Sequence, residues 1–458
     1  MSAVYVSPDD IRDRFAAAMS DMYRREVPAY DKLVDLVETV NAEYRSNMTA
    51  EIAAASDEQS ERFEKERHGA IRLGTADELS MMRRVFALMG MLPVGYYDLS
   101  QAGLPVHSTA FRPVTAEALS ANPFRIFTSL LRLDMIEDED LKKRAGDALA
   151  QRKIFSERAV ELVKIGEAQT GLTTSQAEAF ISEVIKTFEW HAQAQVSQQD
   201  YSSFLELNGL IADIVCFKGP HINHLTPRTL DIDDVQRRMP QWGLDPKAVI
   251  EGPPARQCPI LLRQTSFRAL KEQVSFRTGD GKQIVGAHTA RFGEVEQRGA
   301  ALTPKGRALY DELLGAVLAE TRSASASVDY TGLLSAVFAA FPDDWRQMMS
   351  EGLAYFTFEL TDAGKRATSG IDDDVETWIE NGWVIAVAQT YEDFLPVSAA
   401  GIFRSNLERD EAPQFTANSN QSAFETALGA STMDPFALYQ ETQDRSLARC
   451  RAALLAAR

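Results

Sequence analysis

Only three of the 458 residues are cysteine and only six are histidine. Cys216, Cys258 and Cys450 stand far apart with no CxxC pair, which argues against a zinc knuckle or a disulfide framework and points to a reducing cytoplasm. No run of about 18 apolar residues occurs, as a membrane-crossing helix would need. The opening MSAVYVSPDDIRDRF carries acids where a secretion signal has a basic flank and an apolar core. The expectation is a chain neither exported nor anchored. Positive charge is scarce as well: 48 Lys and Arg against 66 Asp and Glu leave a net charge of −18, so nucleic acid and an anionic membrane would both meet a repulsive field. GxGxxG, GxxxxGKS/T, GxSxG and HExxH are all missing, which removes support for a nucleotide cradle, a nucleophile elbow and the commonest zinc-protease helix.

What is present suits a large core: 45% of the residues are hydrophobic and 25% charged, and the length allows two domains or one duplicated unit. Residues 7–47 read as helical, with Ser7-Pro8-Asp9-Asp10 as a start signal and apolar residues at Ile11, Phe15, Met19 and Met22, then a second amphipathic stretch from Tyr30 to Val40. From His68 the pattern changes. Residues 70–74 read as a short strand, Thr75 caps a helix through Met89 that Gly90 ends, and 94–99, 106–112 and 125–131 read as strands. Residues 138–205 are rich in good helix formers and read as a helical insertion.

After it the earlier order returns. A strand is expected at 221–226, a capped helix at 231–239, and strands at 260–265, 274–277 and 287–297, with Gly279-Asp280-Gly281 as a hairpin signal between the last two. Helices follow at 303–320 and 330–352, strands over 354–407 including 383–388, and helix again from Ser422. The shared order of 68–131 and 221–300, each a His-bearing strand, a helix and several strands, suggests two βαβββ modules within one catalytic unit, 1–458. The expected fold class is therefore α+β: duplicated modules forming a curved mixed sheet around a metal site, with helical insertions and termini, and 303–458 adding helices and pocket-completing strands.

Two histidines fall in Gly219-Pro220-His221-Ile222-Asn223-His224-Leu225-Thr226-Pro227-Arg228-Thr229, where two prolines forbid a regular helix. In an extended segment His221 and His224 face opposite ways, so at most one points into a shared site and further ligands must come from elsewhere. His68 precedes an apolar strand. Glu294 and Glu296 share one strand face in an apolar-flanked segment, where a buried carboxylate needs a partner or a metal. Gly293 would permit close approach to that metal, and Glu296 could instead accept from a ligand imidazole. Arg72, four residues after His68 on the same face, suits a two-pronged grip on a substrate carboxylate. Two histidines and one carboxylate from distant segments are the set with which non-haem iron(II) oxygenases leave positions open for substrate and dioxygen. Plainer readings stand beside these: His68 as a backbone-bonded histidine, Arg72 as a solvated strand arginine, the glutamates as surface acids. His288, His221 and His107 are expected in supporting or structural hydrogen bonds, and His191 in a structural role on a polar helix.

The strings HGAIR (68–72), GYYDL (95–99), VHSTAFR (106–112), FKGPHINHLTPRTLDID (217–233), ILLRQTSF (260–267), HTARFGEVEQRGAALTPKGR (288–307) and YEDFLPVSAAGIF (391–403) resemble the 2-oxoadipate dioxygenase/decarboxylase family, the hydroxyglutarate synthases of bacterial lysine breakdown. The resemblance covers nearly the whole chain. It implies a vicinal oxygen chelate fold of βαβββ modules, with iron(II) held by His68, His224 and Glu294. It further implies Arg72 on a carboxylate of the 2-oxo acid, with Val397 and Ser398 lining the substrate pocket that His68 also faces. The implied reaction takes 2-oxoadipate and dioxygen to 2-hydroxyglutarate, in the D form, and carbon dioxide. Two other readings fit the same ligands: a dioxygenase for another 2-oxo acid, and a non-catalytic module that binds a metal or a small acid. The ligand set itself would also accept manganese or cobalt.

Overall fold

The computed structural model describes residues 4–47, 60–100, 103–268, 271–277, 283–289, 291–323, 329–367, 374–395 and 420–456. Ser7 accepts from Asp10 N and starts α1 (Pro8–Glu26). Pro28 has no N–H to continue that helix and instead begins α2 (Pro28–Ser46). After α3 (Ser60–Lys65) come β1 (Arg67–Leu73), α4 (Ala76–Ala87), β2 (Leu92–Asp98), β3 (Val106–Arg112), α5 (Ala116–Ala121) and β4 (Arg125–Leu131). Thr75 caps α4 by accepting from Glu78 N, and Gly90, at φ +67°, takes the left-handed turn beyond its end. Five helices follow: α6 (Glu139–Ala150), α7 (Glu157–Gln169), α8 (Thr174–Ile185), α9 (Gln198–Leu207) and α10 (Gly209–Cys216). Next are β5 (Leu225–Pro227), α11 (Ile232–Arg238), β6 (Leu262–Ser266), β7 (Lys271–Arg277), β8 (Gln283–Thr289) and β9 (Glu294–Arg298). The remainder holds α12 (Pro304–Ser323), α13 (Tyr330–Phe338), α14 (Trp345–Ser350), β10 (Phe356–Leu360), α15 (Asp362–Lys365), α16 (Val375–Glu380), β11 (Val384–Ala388), α17 (Gln421–Leu428) and α18 (Pro435–Ala456). The class is mixed α+β. Among the described residues no helix is long and apolar enough to cross a membrane.

Two compact units separate within the chain: Met1–Ile250, Gln264–Gln297 and Phe394–Met433 form one, and Glu251–Arg263, Arg298–Asp393 and Asp434–Arg458 the other. The second holds the antiparallel pair β10–β11 and the fully buried Trp378. The first holds a five-stranded sheet in the order β2-β3-β4-β1-β5, mixed because β1 runs parallel to β4 and antiparallel to β5. Period-two alternation gives this sheet two unlike faces. Ile71, Leu73, Ile126, Leu130 and Phe111 point into an apolar core with Phe15 of α1, Phe86 of α4, Val163 of α7 and Phe180 of α8. His68, Arg72, Arg125, Ser129 and Thr226 occupy the alternate positions. The register sets His68 beside Arg125 and Thr226, and Arg72 beside Ser129, whose hydroxyl lies 2.8 Å from that of Ser108.

Several expected strands differ. Residues 221–224 are not a strand: Ile222 N donates to Phe188 O and Asn223 N to Ala70 O, so the backbone bonds in two directions instead of along one ladder, and only 225–227 pair. The expected strand at 287–297 is two strands, because Phe292 N leaves any ladder to donate to Asn223 O. Within 354–407 the described strands are β10 and β11, with α15 and α16 between them. Glu189-Trp190-His191 lies outside any helix. The Gly279-Asp280-Gly281 signal falls outside the described residues, although β7 and β8 on either side of it pair antiparallel. Phe15 is fully buried, edge-on to Phe124 and Phe188 at 5.9 and 5.6 Å. Phe15→Ala is expected to cost about 3–5 kcal/mol of stability, read as a lowered urea midpoint, and a loss under about 1 kcal/mol would show that this core is not what holds the sheet.

Candidate metal centre

His68 is the second residue of β1, His224 precedes β5, and Glu294 opens β9, so three separate backbone segments deliver three side chains to one place, all within the first unit. One donor atom from each lies within 4.8 Å of the others, and all three residues are buried. His68 Nε2 is 3.0 Å and His224 Nε2 3.8 Å from Glu294 Oε1, and the two imidazole rings meet edge to face at 5.3 Å. Glu294 Oε1 also accepts from Thr226 Oγ1 at 3.0 Å and Gln264 Nε2 at 2.9 Å, which fixes the carboxylate's orientation. Two buried atoms, His224 Nδ1 and Glu294 Oε2, have no hydrogen-bond partner among the described residues. Left so, each would cost about 1–3 kcal/mol. A divalent cation removes that cost at the carboxylate, and two imidazoles with one carboxylate are donors that iron(II), manganese and cobalt all accept.

Behind the ligands stands a buried charge chain. His68 Nδ1 is 2.9 Å from Glu296 Oε2, Glu296 is 3.5 Å from Arg125, and Arg125 lies 2.9 Å from Glu66, which pairs with Arg228 at 2.7 Å. An imidazole with one nitrogen toward a metal and the other on a carboxylate has its tautomer and ring plane set. Burial pushes the His68 pKa down, but Glu296 and Glu294 outweigh it and raise the value above the ordinary 6.5. Burial takes His224 down to about 4, opposed by Glu294 and reinforced by the charges of His68 and Arg72. For Glu294 burial raises the pKa, while His224 and His68 more than offset this and hold the carboxyl below its usual range.

Arg72 is buried and paired through Nη1 with Asp213 of α10, rather than solvated. His221 and His224 do part company: His224 joins the candidate cluster with His68 and Glu294, and His221 Nε2 lies 3.2 Å from Asp213. His288 Nε2 is 2.9 Å from the same carboxylate. His107 sits apart, 4.7 Å from the Phe424 ring, its pKa driven to about 4 chiefly by burial. Gly293 serves packing rather than metal approach, since a Cβ there would stand 2.0 Å from the Phe267 ring. Val397 and Ser398 lie outside the described residues. Sequence reasoning missed Thr226, Gln264, Asp213 and Phe394, whose ring meets His68 at 5.0 Å. Asp213 did carry a signal, as the one charge in the apolar run Gly209-Leu210-Ile211-Ala212-Asp213-Ile214-Val215-Cys216.

The model of the family described as 2-oxoadipate dioxygenase/decarboxylase matches residues 15–406. The chain belongs to this family. It is 52% identical over 457 residues to the 2-oxoadipate dioxygenase/decarboxylase of Pseudomonas putida, covering 98% of each chain. It is 51% identical over 451 residues to that of Escherichia coli, covering 97% of this chain and 98% of the other. The crystal structure of the Pseudomonas putida hydroxyglutarate synthase in complex with 2-oxoadipate matches with a TM-score of 0.90 at 51% identity, over 98% of this chain and 99% of that one. Family membership makes the chain an oxidoreductase, and the buried His-His-Glu cluster fits a metal-dependent one.

Two measurements probe this centre. Glu296→Gln removes the charge that orients His68 while keeping its shape, and is expected to weaken metal binding by about 10–100-fold in a chelator-competition titration; unchanged affinity would detach Glu296 from the centre. The second concerns protons. Metal uptake needs a neutral His68, whose pKa is raised, so apparent affinity should climb as pH rises above about 6.5 and level off once His68 is deprotonated. His224, neutral from about 4 upward, adds no slope there. A flat profile across that range would remove His68 from the proton-linked ligands.

Proposed function

We propose that the chain converts 2-oxoadipate and dioxygen to 2-hydroxyglutarate and carbon dioxide, with iron(II) held by His68, His224 and Glu294. The observation that carries this is the convergence of those three buried side chains within 4.8 Å, in a member of a family of that activity. Bound there, iron(II) supplies a centre that a 2-oxo acid can chelate and at which dioxygen is reduced. The protein's own residues do the rest. Three fixed donors leave coordination positions for substrate and dioxygen. Arg72, on the same strand face as His68, holds a carboxylate of the substrate. Phe394 against His68 and Phe292 against His224 at 4.8 Å place apolar rings around the ligands and limit water. The D configuration of the product and a place in lysine breakdown follow the family resemblance. A reducing cytoplasm is supported by three free, buried cysteines.

The scaffold we propose is a duplicated one. In β1-α4-β2-β3-α5-β4 the first strand runs parallel to the last. In the stretch from β5 to β9, Arg228 bridges Glu296 in parallel as well, with α11 after the first strand and the β7–β8 pair as additional strands. His68 and His224 would then stand at corresponding places, one at the start of each module.

His224→Ala is expected to abolish iron retention and oxygen uptake together. Full turnover in an iron-loaded His224→Ala protein would remove the ligand assignment. With the parent protein, iron(II) and 2-oxoadipate should give oxygen uptake matched one to one by carbon dioxide release. No uptake above a metal-free control would leave a binding module only, and faster release from a shorter or aromatic 2-oxo acid would reassign the substrate.

A further inference from the structure

Behind Arg72 lies a second buried carboxylate, with partners from three segments: β1, β8 and the stretch before β5. Asp213 of α10 engages Arg72 Nη1 through Oδ2 and takes Asn223 Nδ2 at 3.4 Å on the same oxygen. Its Oδ1 lies 2.9 Å from His288 Nε2 on β8 and 3.2 Å from His221 Nε2. His288 is itself held: its Nδ1 is 3.0 Å from Tyr201 OH on α9, and its ring packs on Phe217 at 4.6 Å. Carrying its proton on Nε2, His288 donates to Asp213 and accepts from Tyr201. His221 is backed by Trp190, edge to face at 4.6 Å. All of these side chains belong to the first unit.

An anchor this heavily bonded is more than a counter-charge requires. A lone arginine is long and flexible, and about 2 kcal/mol of rotamer freedom opposes holding it in one pose. Neutralising it takes a single carboxylate. Fixing that carboxylate with two imidazoles and an amide, and fixing one imidazole with a tyrosine, sets where the guanidinium stands. A guanidinium carries five N–H donors in a fixed fork, so setting one of its nitrogens sets the plane of the rest. Asp213 ties down one nitrogen from behind, and the arginine sits near enough to the ligands for its charge to lower the His224 pKa.

We infer that Asp213 is a positioning residue for substrate binding: braced by His288 and His221, it fixes the Arg72 guanidinium at the place where a carboxylate of the 2-oxo acid docks. This rests on the reading above in which Arg72 is the carboxylate clamp. The side chains that Asp213 bonds among the described residues are Arg72, Asn223, His288 and His221, none of them in the His68-His224-Glu294 cluster, so its removal should act on substrate affinity and leave metal retention alone.

The test uses the iron-loaded full chain, with KM and kcat for 2-oxoadipate from oxygen uptake and bound iron measured for each variant. Arg72→Gln should raise KM on the order of a hundred-fold, and Asp213→Asn about ten-fold, with iron content unchanged and kcat changed far less than KM. His288→Gln, which keeps a donor for Asp213, should stay near the parent KM, whereas His288→Leu, which has none, should raise it. If Arg72→Gln raises KM while Asp213→Asn leaves it unchanged or lower, the positioning role is overturned. If Arg72→Gln leaves KM unchanged, the clamp reading itself fails, and the two failures are thereby distinguished. Should Asp213→Asn not fold, the His288 pair decides: equal KM values for Gln and Leu overturn the inference, and a higher KM for Leu supports it.

Discussion

Buried negative charge beside His68 is the constraint around which the first unit is arranged. Glu294 and Glu296 are both completely buried, one at each nitrogen of the imidazole. A carboxylate taken out of water is tolerated only where opposite charge and hydrogen bonds meet it. For Glu296 and Glu66 the chain provides Arg125 and Arg228. For Glu294 it provides two neutral donors, Thr226 and Gln264, and two imidazoles, of which His224 stays uncharged down to about pH 4. No arginine or lysine reaches it in a direct ion pair among the described residues. With only neutral donors and imidazoles around it, Glu294 is the part of the site that a divalent cation would complete.

The sheet makes that arrangement affordable by dividing its faces. On one face Ile71, Leu73, Ile126 and Leu130 bury against helices; on the other, the same strands present His68, Arg72, Arg125 and Ser129. Because β1 lies between β4 and β5, His68 has a cation, Arg125, on one side and a hydroxyl, Thr226, on the other at the same register. A slip of one residue would send His68 into the apolar core and Ile71 toward the glutamates, so hydrophobic patterning and the polar cluster specify the same register.

How much of this the sequence revealed divides along the same physical line. Local signals were readable: the Thr75 and Asp231 caps, the Gly90 stop, and the β3 and β4 boundaries, because each depends on residues within a few positions. The divergence of His221 and His224 was read from strand alternation, and the two side chains do separate, although the backbone that parts them is not a strand. The break at residues 291–293 was not readable, since it comes from Phe292 N reaching Asn223 O, a bond between segments far apart in sequence. The same holds for Gly293, whose missing side chain is explained by the Phe267 ring and not by its neighbours. The plainer reading of Arg72, as a solvated arginine, failed for a related reason: its partner Asp213 sits in a helix that shows only one polar residue in an apolar run.

The site thus holds two carboxylate hubs with opposite assignments, and their separation bears on the chemistry. Glu294 is bordered by neutral donors and retains the charge that attracts a metal. Asp213 is bordered by Arg72, His221 and His288; burial raises its pKa, but the facing charges outweigh that and keep it well below the ordinary value. Arg72 and Asp213 together are close to neutral. Their combined field neither competes with the cation at Glu294 nor draws simple anions strongly from a distance. On the proposed reading it would favour a ligand that chelates a metal at Glu294 and at the same time offers planar oxygens to the Arg72 guanidinium. A 2-oxo dicarboxylate satisfies both conditions within one molecule, whereas bicarbonate or acetate satisfies only one. Selectivity in such a site comes from the fixed distance between two weak attractions rather than from the strength of either.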